Sequence, residues 1–104
     1  MNVNTVVETK MFSAKAAKAW TPKQYEDFVV HIANDPEAGE VVPGSGGVRK
    51  IRWDKGGAGK RGGVRVVYFN SAAEKTWLLT LYAKNERENI PAHELKKIKE
   101  AING

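Results

Sequence analysis

The sequence predicts an α+β fold: a short N-terminal strand, two helices, a three-stranded antiparallel sheet and a C-terminal helix, with the helices against one sheet face. Three observations carry this. A helical apolar stripe with complete start and stop signals occupies residues 21–36. Three runs rich in β-branched and aromatic residues follow, separated by glycine-rich or polar segments. A last amphipathic stretch then begins near Pro91. With 104 residues and no second composition regime, the chain makes one domain, residues 1–104.

Taken in order, Val3–Glu8 has the β-branched content of a short strand, and Met11–Trp20 carries the alanine and lysine of a short helix. The next helix is signalled at both ends. Thr21 is an N-cap, Pro22 stands at the first helical position, and Gln24 completes a capping box. Tyr25, Phe28, Val29, Ile32 and Ala33 then fall on one helical face. Asn34-Asp35-Pro36 ends it, because a proline disfavours helical geometry in the residue before it. Glu37–Gly47, with Gly39, Pro43, Gly44, Gly46 and Gly47, reads as loop.

Three strands are expected at Val48–Trp53, Val64–Asn70 and Thr76–Ala83. The first alternates, with Ile51 and Trp53 on one face and Lys50 and Arg52 on the other. The second, VRVVYFN, is apolar on both faces and reads as a central strand. In the third, alternation puts Trp77, Leu79, Leu81 and Ala83 opposite Leu78, Thr80 and Tyr82. The polar turn Ser71–Lys75 makes the last two a hairpin. The C-terminal helix buries Leu95, Ile98 and Ile102 and turns Lys96, Lys97, Lys99 and Glu100 outward.

Composition removes several chemistries. There is no cysteine, hence no disulfide, thiolate nucleophile or cysteine-ligated metal. His31 and His93 have no partner at metal-ligand spacing, and no serine sits in a nucleophile elbow, so no metal or cofactor is expected. The N-terminus lacks the basic start and apolar run of a secretory signal, and the apolar runs are too short to cross a bilayer. A soluble, cytoplasmic protein is the expectation.

The charge distribution points to a partner. Arg49–Arg65 holds seven basic residues (Arg49, Lys50, Arg52, Lys55, Lys60, Arg61, Arg65) and one acid, Asp54. That is a net +6 in a chain of net +5, so the rest of the chain sums to −1. Lysines along a strand also guard an edge against aggregation, but protective surfaces intersperse both signs. So concentrated a charge calls for a polyanion. The glycine-rich segment KGGAGKRGG is not a nucleotide-binding loop. Asp54 stands where the motif's first glycine belongs, Arg61 follows Lys60, and the segment leads into a strand rather than a helix. Cations alone support a reaction when the substrate brings its own nucleophile, as RNA does with its 2′-hydroxyl. Guanidinium groups then neutralise the phosphorane, a lysine moves the proton, and Tyr68 or Tyr82 could stack on a base.

The strings NDPEAGEVVPGSGGVRKIRW, KGGAGKRGGVRVVY and LLTLYAKNE, spanning residues 34–86, resemble the HigB-type branch of the RelE/ParE toxin superfamily. The resemblance implies a RelE-like fold and a ribosome-dependent mRNA endonuclease, the toxin of a toxin–antitoxin pair that inhibits translation without a metal cofactor. It implies as partners a cognate antitoxin of helix-turn-helix type and the ribosome with bound mRNA. By motif, Lys50 and Arg52 resemble the basic strand pair near the scissile phosphate, and Arg65 the transition-state arginine. Lys84, Asn85 and Arg87 fall where the family has a basic patch followed by a catalytic tyrosine. Here Pro91 stands about where that tyrosine would be, Asn85 replaces an arginine, and the histidine-containing stretch of some HigB toxins is missing. The proton acceptor is then drawn from Lys84, Lys50 and Tyr82, in that order. Arg49, Lys55, Lys60, Arg61, Tyr68, Asn85 and Arg87 are the implied RNA- and ribosome-contacting residues. Lys96–Lys99 reads either as a further docking face or as an ordinary solvated one. Two alternatives remain at this point: a ParE-like inhibitor of DNA gyrase, and a non-catalytic RNA- or ribosome-binding module.

Overall fold

In the computed structural model, which describes residues 3–53, 63–83 and 89–102, the chain runs β1 (Thr5–Glu8), α1 (Lys10–Ala19), α2 (Pro22–Asn34), β2 (Glu40–Val41), β3 (Arg49–Trp53), β4 (Val64–Ser71), β5 (Lys75–Ala83) and α3 (Ala92–Ile102). The α+β class and element order follow the sequence reading. The local signals at α2 are all present. Thr21 Oγ1 accepts from the Gln24 N–H at 3.2 Å, and the Thr21 N–H donates to Gln24 Oε1 at 2.9 Å. Phe28, Ile32 and Ala33 form its buried stripe.

The sheet has five strands, not three, in the order β1-β5-β4-β3-β2. β1 lies parallel to β5, from Thr5 opposite Lys75 to Glu8 opposite Leu78. A parallel neighbour needs a long crossover, and α1 and α2 supply it by carrying the chain from one sheet edge to the other. At the far edge the two-residue strand β2 pairs with β3, Glu40 opposite Lys50 and Val41 opposite Arg49. The glycines and proline around it hide so short a strand from any periodicity argument. Ser45 closes the turn between them, its buried hydroxyl donating to the Val42 carbonyl at 2.6 Å and accepting from the Val48 N–H at 3.0 Å.

The helices cover both sheet faces, not one. Phe12, Ala16 and Trp20 of the α1 side and Phe28 and Ile32 of α2 pack on Trp53, Val64, Val66, Tyr68, Leu78 and Leu81. On the other face Leu95 of α3, with Ile98 and Ile102, meets Val48, Val67, Leu79, Tyr82 and Ile90. Since β4 and β5 are apolar on both sides, a single helical layer would leave one apolar face in water.

A bulge explains the third departure. Val67 faces Thr80 while Tyr68 faces Leu78, which leaves Leu79 as an extra residue in β5. The side-chain phase therefore slips by one. Trp77, Leu79 and Tyr82 go to the α3 side, whereas Leu78 and Leu81 go to the α1/α2 side, so strict alternation along β5 fails. Thr9 holds the bulge in place. Its hydroxyl lies 3.1 and 2.9 Å from the Leu78 and Leu79 carbonyls, to which it donates, and it also caps α1 by accepting from the Phe12 N–H.

Candidate nucleic-acid interface

β3 is amphipathic, and its burial decides where its cations go. Ile51 and Trp53 turn into the α1/α2 core, which directs Lys50 and Arg52 to the α3 face. On β4, Val64, Val66 and Tyr68 occupy the α1/α2 core, so Arg65 also projects to the α3 face. Register then brings these residues together. Arg52 is directly opposite Arg65, and Arg65 is directly opposite Tyr82, forming one row across three strands. Lys50 sits two residues along β3, opposite Val67. Arg52 is exposed, while Lys50 and Arg65 are half-exposed.

Directly opposed residues of antiparallel strands have Cα atoms about 5 Å apart, and like charges in that relation repel. The Arg52–Arg65 pair thus sets two cationic side chains side by side on one sheet face, an arrangement suited to binding an anion. Lys50 adds an ammonium beside it, donating to Asn89 Oδ1 at 3.1 Å. The segments 54–62 and 84–88 join the sheet at the end where Trp53, Val64 and Ala83 pair, next to the arginine row. Lys55, Lys60, Arg61, Lys84, Asn85 and Arg87 belong to those segments and lie outside the described residues.

Three expected site residues are placed elsewhere. Arg49 points to the opposite face, where its Nη1 donates to the Gly39 carbonyl at 2.6 Å and the Glu37 carbonyl at 3.3 Å. It pins the segment before β2. Tyr68 is fully buried (0% exposed) in the α1/α2 core, and its hydroxyl accepts from the Gly39 N–H at 2.8 Å. Burial pushes its phenol pKa above the usual value, with that hydrogen bond and the Arg49 charge opposing the shift. Tyr82 is in register with Arg65, but its ring is 2% exposed and belongs to the α3-side core. Neither tyrosine offers a stacking surface, because a strand buried on both faces has no outward side on which to display one. Tyr82 is likewise too enclosed to meet a substrate hydroxyl.

His31 is half-buried with its ring against Trp53, centroids 4.9 Å apart, and His93 is exposed. Among the described residues no group of three histidine, cysteine or acidic side chains could hold a metal ion. Asn89 and Glu40, both beside Lys50, escaped the sequence reading. Glu40 was hidden in a glycine-rich stretch, and Asn89 belongs to no motif.

Comparison with known proteins supplies the context. The family model described as the RelE toxin of the RelE/RelB toxin–antitoxin system matches residues 6–103. Among solved structures, a double arginine-to-alanine mutant of the E. coli toxin RelE in its free state superposes with a TM-score of 0.63. The superposition covers 95% of this chain and 98% of that one at 14% sequence identity, a likeness of fold. The family match runs from within β1 to the end of α3, and on that ground the chain belongs to the RelE toxin family of RelE/RelB toxin–antitoxin systems.

Proposed function

We propose that this toxin is a HigB-type, ribosome-dependent mRNA endonuclease that blocks translation in the cytoplasm. On this reading a cognate antitoxin, itself a helix-turn-helix protein, holds it inactive. The observation that carries the reading is the gathering of Lys50, Arg52 and Arg65 on one sheet face, with the two arginines directly opposed. Such a pair suits a phosphodiester whose charge increases during reaction. The RNA 2′-hydroxyl loses its proton and attacks the adjacent phosphorus in line. The new O–P bond forms as the P–O5′ bond breaks, the 5′-oxygen takes up a proton, and a 2′,3′-cyclic phosphate remains. Arg52 and Arg65 stabilise the phosphorane, and Lys50 holds a neighbouring phosphate oxygen. Lys84 is assigned the proton-accepting role.

The test is primer extension on ribosome-bound mRNA after induction of the wild type and of Arg65→Ala. Removing one charge contact made in the transition state lowers the rate by about 10²-fold. A folded Arg65→Ala toxin that still cuts at the wild-type rate sinks the assignment. Loss of DNA supercoiling with intact mRNA would point to a gyrase inhibitor. Salt-dependent RNA binding without cleavage would leave a binding module.

A further inference from the structure

Lys50 has two neighbours that can accept from its ammonium, and they differ in charge. Glu40 is its register partner across the β2–β3 ladder, on the same face and exposed. Asn89 approaches from the segment that leads into α3. Lys50 turns to Asn89, and no ion pair joins it to Glu40 among the described residues. An ammonium only donates, so the contact fixes the Asn89 amide with its oxygen toward Lys50. The backbone beside Asn89 is well held. Ile90 is buried in the α3-side core, and the Pro91 carbonyl accepts from the Glu94 and Leu95 N–H groups in the first turn of α3.

We infer that Asn89 is a positioning residue, whose neutral amide holds Lys50 away from the Glu40 carboxylate and so keeps its charge available to an RNA phosphate. The inference rests on the endonuclease reading for the identity of the polyanion. Chemistry dictates why the acceptor is an amide. A carboxylate at this place would itself neutralise the ammonium and compete with phosphate for it. With no acceptor there at all, Lys50 would swing across the ladder to Glu40. The amide takes one of three donors and leaves the net charge intact.

The experiment compares wild type, Asn89→Ala, Glu40→Gln and the double variant Asn89→Ala/Glu40→Gln. It reads both cleavage of ribosome-bound mRNA by primer extension and binding of a short single-stranded RNA by fluorescence anisotropy. Asn89→Ala is expected to weaken both about fivefold, the weight of one exposed ion pair competing for the ammonium. Glu40→Gln alone is expected to match the wild type, and added to Asn89→Ala it should restore most of the loss. A merely structural asparagine gives no such rescue. Asn89→Asp should lower both readouts and remain low when Glu40→Gln is added. Thermal melts confirm that each variant is folded. If Asn89→Ala behaves as wild type, or its loss is not relieved by Glu40→Gln, the inference is overturned and the endonuclease reading stands. If binding follows the expected pattern while no variant, wild type included, cuts RNA, the endonuclease reading falls and the role of Asn89 at a phosphate contact survives. A wild type that neither binds nor cuts removes both.

Discussion

Tyr68 shows how one side chain in a small toxin carries architecture rather than chemistry. Its ring fills the α1/α2 core, and its hydroxyl accepts the Gly39 N–H just before β2. A side chain at residue 39 would itself meet that hydroxyl at 2.8 Å, so the approach demands glycine. Tyr68→Phe leaves the Gly39 N–H buried without its acceptor, a loss of about 1–3 kcal/mol readable by urea denaturation. The pH dependence has a definite sign. Burial raises the Tyr68 pKa above its ordinary value of 10.0, so the native state favours the neutral phenol. That contribution is fully present below pH 10 or so and is lost as pH climbs through the higher folded value. The wild type should therefore lose stability on this alkaline limb, and Tyr68→Phe should flatten the loss. Arg65 is the opposite kind of residue. It is half-exposed beside another arginine, so Arg65→Ala should leave a cooperatively folding protein by thermal melt while lowering cleavage about 10²-fold.

At the level of elements, the β4–β5 turn is built against backbone preference. Ala73 and Glu74 both adopt positive φ, 65° and 56°, where a side chain crowds the backbone. Ala73→Gly relieves one of the two and is expected to stabilise the protein by about 0.5–1 kcal/mol, after allowing for the extra freedom of glycine in the unfolded chain. A thermal melt checks it, and a lowered midpoint would show that the turn is held by contacts of the Ala73 methyl group. This turn was legible as a turn, since Ser71–Lys75 is short and polar, but its strained geometry was not. The same division holds across the fold. Helix α2 could be read residue by residue because its cap, stripe and stop are local. The common side of Lys50 and Arg52 was legible for the same reason. β2, the parallel pairing of β1 and the extra residue at Leu79 depend on partners far away in sequence, and no local pattern encodes them. Tyr68 and Tyr82 were misjudged because tyrosine in a strand covered on both faces looks, in sequence, like tyrosine in an exposed one.

For the whole molecule, the salient property is the separation of charge along the sheet. The arginine row lies at the end where Val64 pairs with Ala83, and Asp35, Glu37 and Glu74 share a cavity at the other end, beside the turn that follows Ser71. A molecule so polarised approaches a polyanion basic end first. Binding to single-stranded RNA should weaken with salt, the slope of log K against log salt being about −0.7 for each phosphate contacted. Lys50→Ala and Arg52→Ala should each reduce that slope by about one such contact. Glu74→Lys should leave the slope at the arginine row unchanged while adding weak, sequence-independent binding at the far end. Titrations at several salt concentrations distinguish these outcomes, and an unchanged slope in Lys50→Ala would mean that this lysine meets no phosphate.

The additional residue in β5 lets two consecutive side chains, Leu79 and Thr80, serve the same side of the sheet. Excision of Leu79 would give a tidier ladder and a worse protein. Thr80 would follow Leu78 in simple alternation and Leu81 and Tyr82 would keep their sides, but the α3-side core would lose the fully buried Leu79 side chain. Loss of that single codon would therefore cost the packing of one leucine and the Thr9 hydroxyl's contact with its carbonyl, and would leave the rest of the strand facing as it does now.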